Sequence, residues 1–109
     1  MSAMQRNKGA NAERAVVAHL RDNGWPDARR YLAGDGNQPG DIDAIPGVAL
    51  EVKNQATYRF GDWIRQAVAE AGPDRLPVVV AKPNGVTDVG EWWAVMRFDD
   101  LLGLLREDS

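Results

Sequence analysis

Apolar residues along the chain recur with two different periods, and these periods predict its helices and strands. In residues 10–23 they recur every three or four positions, which predicts an amphipathic helix, and Gly24 and Pro26 then act as stop signals. Residues 62–71 show the same spacing, with Asp62 as the expected N-cap and Gly72 and Pro73 ending the helix. A short terminal helix is predicted over residues 99–106.

The segments between these helices have the composition of strands. The run PVVVAK at 77–82 is typical of a buried central strand, and Pro46-Gly47 is a turn signal between two further strands. The resulting order, α-β-β-β-α-β-β-α, predicts an α/β fold with a mixed β-sheet flanked by helices, in a single domain over residues 1–109. Residues 1–8 are expected to form a loose N-terminal arm, and residues 33–40 a glycine-rich loop. The five strands are predicted at residues 25–32, 41–45, 48–53, 77–82 and 91–98.

Composition narrows the chemistry that is available. The chain has no cysteine and a single histidine, so Cys-based and His-rich metal sites are excluded, and a bound metal would need oxygen ligands, as Mg²⁺ or Mn²⁺ prefers. The net charge is −3, although residues 1–35 carry a small basic excess. We find no apolar run of membrane-spanning length and no signal-peptide pattern, and we therefore expect a cytoplasmic protein without a membrane partner.

Charged residues interrupt the predicted hairpin GDIDAIPGVALEVKN at 40–54. Alternation along a strand places Asp41 and Asp43 on one face, and Glu51 and Lys53 on one face of the next strand. A three-residue connection would bring the two pairs onto the same face, and a two-residue connection would separate them. The sequence leaves both registers open, but the first assembles three carboxylates and one ammonium group, a cluster that a divalent cation would stabilise.

A fourth acid joins this set from the first helix. Glu13 lies at helical spacing from Val16, Val17 and Leu20, on the face that should pack inward. We interpret Asp41, Glu51 and the Val52 carbonyl as Mg²⁺ ligands, with Glu13 acting through a second metal or a water molecule. Lys53 would position or deprotonate the attacking water, or offset developing charge, in the hydrolysis of a phosphodiester.

These residues have the pattern of a known nuclease signature. Asp41 followed by Glu51-Val52-Lys53 resembles the PD-(D/E)xK motif, with Gly40 where the proline of the motif would stand. More widely, NKGANAERAVVAHLRDNGW and LPVVVAK resemble the opening helix and a later strand of the archaeal-type Holliday junction resolvases, and the resemblance covers about residues 6–83.

The resemblance implies a restriction-endonuclease-like fold and a Mg²⁺-dependent endonuclease that acts on four-way DNA junctions. It implies that Glu13, Asp41, Glu51 and Lys53 form the active site, with Asp43 as the alternative to Asp41. Similar phage-encoded proteins share this layout, so it also implies a phage origin and the host cytoplasm. Expected phosphate contacts are Arg6, Lys8, Arg14, Arg29 and Arg30, and Gln66 is a further candidate because some nucleases of this superfamily carry glutamine on the following helix.

Two alternatives to this function stay open. One is a nuclease of the same superfamily with another specificity, such as nicking, mismatch or restriction-type cleavage. The other is a catalytically silent DNA-binding module, which the complete set of acidic and lysine positions disfavours.

The last quarter of the chain is strongly apolar. Trp92 and Trp93 must face opposite sides of a strand, so we expect both sides to be covered. Four leucines nearly encircle the terminal helix, which suggests a contact between subunits. Together with the near two-fold symmetry of a four-way junction, this predicts a homodimer.

Overall fold

A five-stranded mixed sheet with helices packed against both faces forms the fold. The computed structural model describes residues 3–32, 34–36 and 38–107, of which residues 5, 6 and 107 are described without their side chains. The element order agrees with the prediction from the sequence, and the α/β class is confirmed. The elements are α1 (Ala3–Asp22), β1 (Arg29–Arg30), β2 (Ile42–Asp43), β3 (Val48–Lys53), α2 (Phe60–Ala71), β4 (Leu76–Ala81), a short 3₁₀ helix (Val89–Glu91), β5 (Trp93–Val95) and α3 (Phe98–Glu107).

The strands lie in the sheet in chain order, β1-β2-β3-β4-β5. β2 is antiparallel to both of its neighbours, β1 and β3, whereas β4 runs parallel to β3 and β5 is antiparallel to β4. A parallel pair needs a crossover, and α2 provides it between β3 and β4. The predicted charged hairpin is therefore β2 and β3, and β3 lies in the middle of the sheet.

Two hydrophobic clusters hold α1 and α2 on the sheet. Because side chains alternate along β3, Leu50 and Val52 face α1, whereas Glu51 lies on the side of α2. The cluster under α1 contains Ala12, Val16, Val17, Ala28, Ile42, Leu50, Val52 and Val78. The cluster under α2 contains Trp63, Ala67, Val79 and Ala81. The first turns of α1 and one edge of α2 are thereby brought to the same end of β3, where the charged residues lie.

Several boundaries differ from the prediction. α1 begins at Ala3, so residues 3–8, predicted as part of a loose arm, are helical. The polar composition of this segment suggested an arm, but most of its residue types are good helix formers. α2 begins at Phe60, which places Asp62 in the first turn instead of at the N-cap. β1 and β2 have only two residues each, shorter than predicted.

The adjacent tryptophans of the last quarter have different surroundings. Trp92 packs against the cluster under α1, and its indole N–H donates to the Val86 carbonyl at 2.9 Å. Trp93 keeps 44% of its surface exposed and contacts the Tyr58 and Phe60 rings. The expectation that both sides of this strand are covered was therefore wrong for Trp93, because β5 is an edge strand.

Over the described part of the chain, none of the helices combines the length and apolar character needed to cross a membrane.

Candidate active site

The register of the β2–β3 hairpin places Asp41 beside Glu51. Ile42 pairs with Leu50, and the Asp41 N–H donates to the Leu50 carbonyl at 2.7 Å. The Asp41 Oδ2 atom accepts a hydrogen bond from the Val52 N–H at 2.8 Å, and its carboxyl group is in hydrogen-bonding contact with that of Glu51. Of the two registers that the sequence left open, the structure has the one that brings these carboxylates together.

A glycine immediately before Asp41 makes this approach possible. Gly40 has φ of +94°, and a Cβ atom at this position would lie 2.5 Å from the Leu50 carbonyl oxygen. A side chain here would combine backbone strain with a clash against the backbone of β3. Gly40 thus lies at a point where the chain needs a left-handed conformation against a neighbouring strand.

Asp43, the alternative metal ligand, is placed differently. Its exposed carboxylate lies 3.3 Å from the Arg29 guanidinium, which also contacts Asp35 at 3.1 Å. Arg29 is therefore engaged by two acids in this structure, outside the cleft that contains Asp41 and Glu51. The geometry favours Asp41 over Asp43 as the carboxylate that works with Glu51.

Glu51 is an acid buried in the central part of the sheet. Only 4% of its surface is exposed, and its Oε2 atom has no hydrogen-bond partner within the part of the chain that the structure describes. Burial, the Asp41 charge and the contact with Glu70 raise the pKa of Glu51 to about 9. Burial also raises the pKa of Asp41, and the Glu13 charge adds to this, against the lowering effect of the Val52 N–H. Without a cation, the two carboxylates are therefore disfavoured in their ionised forms.

The Lys53 side chain is held by α2. Its Nζ atom donates to Gln66 Oε1 at 3.2 Å, and Gln66 Nε2 donates to Glu70 Oε1 at 3.1 Å. Gln66 was predicted from the sequence, but Glu70 was missed. The signal that could have found it is its position one helical turn after Gln66, on the same face of α2.

Glu13 reaches the site from α1, as its inward position predicted. Its Oε1 atom accepts a hydrogen bond from Arg30 Nε at 2.9 Å, which joins α1 to β1. Both side chains line the cleft that contains Asp41 and Glu51. Arg30 offsets the charge of Glu13, and the predicted role of Glu13 toward a second metal or a water stays a prediction.

The acids lie in an open cleft of about 1330 Å³ whose walls also carry cations. Lys8 and Arg59 are exposed and line it together with Lys53 and Arg30. Arg59 was missed by the sequence reasoning, although its place just before α2 and close after β3 was the available signal. Arg14 and Arg29, also predicted to contact phosphates, do not line this cleft; Arg14 is exposed and donates to Asn11 Oδ1 at 3.0 Å. The side chain of Arg6, a further predicted contact, lies outside the described residues.

The cleft contains part of the ligand set that a divalent cation needs. Among the described residues, no group of three or more acids or histidines is arranged to hold a metal ion. Mg²⁺, however, commonly uses one or two protein carboxylates and completes its coordination with water and substrate phosphate. Asp41 and Glu51 supply two carboxylates in contact, one with an unpartnered buried oxygen, next to an open cleft. These residues therefore fit a Mg²⁺ ion that is held by two protein carboxylates and completes its coordination with water and substrate oxygens.

Comparison of the chain with protein-family models, with curated proteins and with solved structures gave no match.

Proposed function

We propose that this protein is a Mg²⁺-dependent endonuclease that hydrolyses DNA phosphodiesters. The observation that carries the proposal is the pair of carboxylates, Asp41 and Glu51, with the Glu51 Oε2 atom buried and unpartnered among the described residues. Burying such a group costs about 1–3 kcal/mol or more unless a ligand satisfies it. A buried, unpartnered carboxylate oxygen in the middle of a sheet lowers stability, and cation binding would offset this cost.

The surroundings of the pair support an anionic substrate. Lys8, Arg30, Lys53 and Arg59 line the same cleft as the two carboxylates. A cleft lined by both cations and acids matches a phosphodiester backbone, whose phosphates need positive partners while the reacting centre needs a cation held by carboxylates. A chain with a net charge of −3 can bind DNA in this way if its cations are concentrated in one cleft.

Each residue of the proposed site would have a separate role in phosphodiester hydrolysis. Asp41 and Glu51 would hold the cation, and the Val52 carbonyl is the expected third protein oxygen. When bound, Mg²⁺ supplies Lewis-acid stabilisation of the phosphoryl oxygens and eases deprotonation of water. Lys53 presents a positively charged donor beside these carboxylates, where it can orient the attacking water or stabilise charge on the phosphoryl group.

Arg30 has two possible partners at the edge of the cleft. In this structure it binds Glu13 at 2.9 Å. A phosphate entering the cleft would compete for the guanidinium, which forms strong charge-assisted hydrogen bonds with either anion. Exchange of partners would free the Glu13 carboxylate toward the site.

We propose four-way junctions as the substrate and a homodimer as the active form. The resemblance in residues 6–83 supports the substrate. The exposed apolar side of α3 supports the dimer: Phe98 and Leu105 keep 71% and 57% of their surfaces exposed, and Leu101 lies between them at helical spacing. Two active sites related by a two-fold axis would face opposed strands of the junction.

One cleavage experiment separates the proposal from its alternatives. Labelled four-way junction and linear duplex of the same sequence are incubated with the protein in Mg²⁺, in Mn²⁺ and in EDTA, with the Glu51→Gln variant as the inactive control. We expect paired symmetric nicks that are confined to the junction, need the metal and are lost in the variant. Equal cutting of the duplex would indicate a nuclease of other specificity. Binding without cutting under either metal would reject the enzyme and leave a DNA-binding module.

A further inference from the structure

We infer that Glu70 is a positioning residue, which fixes the Gln66 side chain and through it holds the Lys53 ammonium in place. The three side chains form a continuous series of hydrogen bonds, from Lys53 Nζ to Gln66 Oε1 at 3.2 Å and from Gln66 Nε2 to Glu70 Oε1 at 3.1 Å. The catalytic consequence of this inference rests on the proposed function, but the arrangement itself does not.

Donor and acceptor chemistry explains why Glu70 sets the orientation of Gln66. A glutamine amide accepts through its oxygen and donates through its NH₂ group, and a 180° rotation that exchanges the two has little steric cost. Lys53 can only donate, so the amide must present its oxygen to the ammonium. The Glu70 Oε1 atom accepts from the NH₂ group of Gln66, and this contact disfavours the opposite orientation. In that orientation, two donors would face each other at Lys53 and two acceptors at Glu70.

The backbone makes this arrangement rigid. Gln66 and Glu70 lie one turn apart on α2, where side chains four residues apart are neighbours. α2 is anchored under the sheet by Trp63 and Ala67, both almost completely buried. The amide is thereby presented to Lys53 from a fixed helix.

The hydrogen bond from Lys53 to Gln66 on α2 also keeps the ammonium group from pairing with the two carboxylates. Lys53 lies two residues after Glu51, on the same face of β3. An unrestrained ammonium at this place would pair with the nearest carboxylate. Yet among the described residues Lys53 makes no ion pair within 4.0 Å, and it donates to Gln66 instead. Glu51 Oε2 accordingly has no hydrogen-bond partner among the described residues, although it is buried beside the cleft.

Two substitutions at position 70 distinguish a hydrogen-bonding role from a role of charge. Glu70→Gln keeps an acceptor oxygen for Gln66 Nε2 but removes the charge, whereas Glu70→Ala removes both in a residue type that favours helices. We expect Glu70→Ala to lower kcat for metal-dependent cleavage by roughly tenfold with little change in KM, as is typical when a supporting hydrogen-bond partner is lost. Glu70→Gln should restore most of the rate. Glu91→Ala, an exposed glutamate outside the cleft, is the matched control.

A cycle with Lys53 tests whether Glu70 acts through the lysine. In a Lys53→Ala background, Glu70→Ala should reduce the remaining rate by less than about twofold, because the group being positioned is gone. Equal losses in Glu70→Ala and Glu70→Gln would overturn the inference in favour of an effect of charge. A tenfold loss that persists in the Lys53→Ala background would overturn it too, as would a wild-type rate in Glu70→Ala.

A spectroscopic measurement keeps this test independent of the proposed function. In ¹⁵N-labelled, metal-free protein, the Gln66 side-chain NH₂ signals are assigned by their loss in Gln66→Leu. One of the two protons should be shifted downfield in the wild type and, to a smaller extent, in Glu70→Gln, and the shift should disappear in Glu70→Ala. If the wild type cleaves no DNA, the proposed function fails while these spectra still decide the inference. Spectra that are the same in all three proteins would reject it whatever the enzyme does.

Discussion

Replacing Glu51 by glutamine should stabilise the metal-free protein at neutral pH while abolishing its proposed activity. The reason is the pKa of Glu51, which the fold raises from 4.5 to about 9. Between these two values the unfolded chain has released a proton that the folded protein retains, so the free energy of unfolding falls as pH rises from about 4.5 to about 9. A glutamine is neutral throughout and removes this dependence.

The size of this effect on the free energy of unfolding follows from the difference between the working pH and the pKa of Glu51 in the unfolded chain. At pH 7 the unfolded glutamate is 2.5 units above its pKa of 4.5, and the folded one is still protonated. At about 1.36 kcal/mol per unit this amounts to about 3 kcal/mol, of which less than 1 kcal/mol is already present at pH 5. For a domain of this size, about 3 kcal/mol corresponds to a change in Tm on the order of 10 °C.

The assay is urea or thermal unfolding in EDTA between pH 5 and pH 8. We expect the wild type to lose stability across this range and Glu51→Gln to lose much less, with a residual slope from Asp41, whose pKa is also raised. Added Mg²⁺ should stabilise the wild type at pH 7, by about 2.7 kcal/mol at one hundred times its Kd, and leave the variant unaffected. Glu91→Gln, an exposed substitution of the same kind, should follow the wild type. Parallel pH curves for wild type and Glu51→Gln, or a less stable variant at pH 7, would refute the reasoning.

Three further outcomes are expected. Gly40→Ala should destabilise the protein by about 2–4 kcal/mol in urea unfolding, because it adds a clash with the Leu50 carbonyl to the strain of a positive φ. Gly36→Ala, where φ is also positive but the space is open, should cost only about 1–2 kcal/mol. Equal losses of stability in the two variants would rule out the clash. Asp41→Asn should lower Mg²⁺-dependent cleavage at least about 100-fold and Asp43→Asn only a few-fold, and the reverse order would identify Asp43 as the ligand. Lys8→Ala should weaken DNA binding, measured by titration at several salt concentrations, and reduce the slope of log K against log salt by about one; an unchanged slope would place Lys8 away from the phosphates.

Residue pattern alone predicted the parts of the fold that depend on local periodicity. β3 has the predicted bounds, because VALEVK is flanked by a turn signal and lies in a sheet buried on both sides. The start of α1 was misplaced, since polar residues with good helix propensity resemble a loose arm when no apolar face marks them. β1 was predicted too long, because the pairing of Arg29 and Arg30 with β2 is a tertiary contact that local composition does not contain.

The candidate site, like the fold, was predicted from the sequence only in part. The sequence singled out Glu13, Asp41, Glu51 and Lys53, and the structure places all four on one cleft, because alternation in β3 and helical spacing in α1 determine the faces involved. It could not fix the register that sets Asp41, and not Asp43, opposite Glu51, since that depends on the geometry of the turn. Glu70 escaped notice for another reason: an exposed glutamate on a helix is ordinary, and only its contacts across to β3 distinguish it.

The outermost strands of the sheet restrict how two copies could join. β1 has two residues and β5 has three, so each offers a neighbouring chain very few backbone groups for pairing. Short edge strands of this kind oppose strand addition and the open-ended stacking that follows from it. Self-association would then depend on side chains, and the apolar side of α3 is an exposed surface that suits it. The proposed dimer should accordingly be closed and finite, and a charged residue in place of Leu105 should return it to monomer in sedimentation experiments.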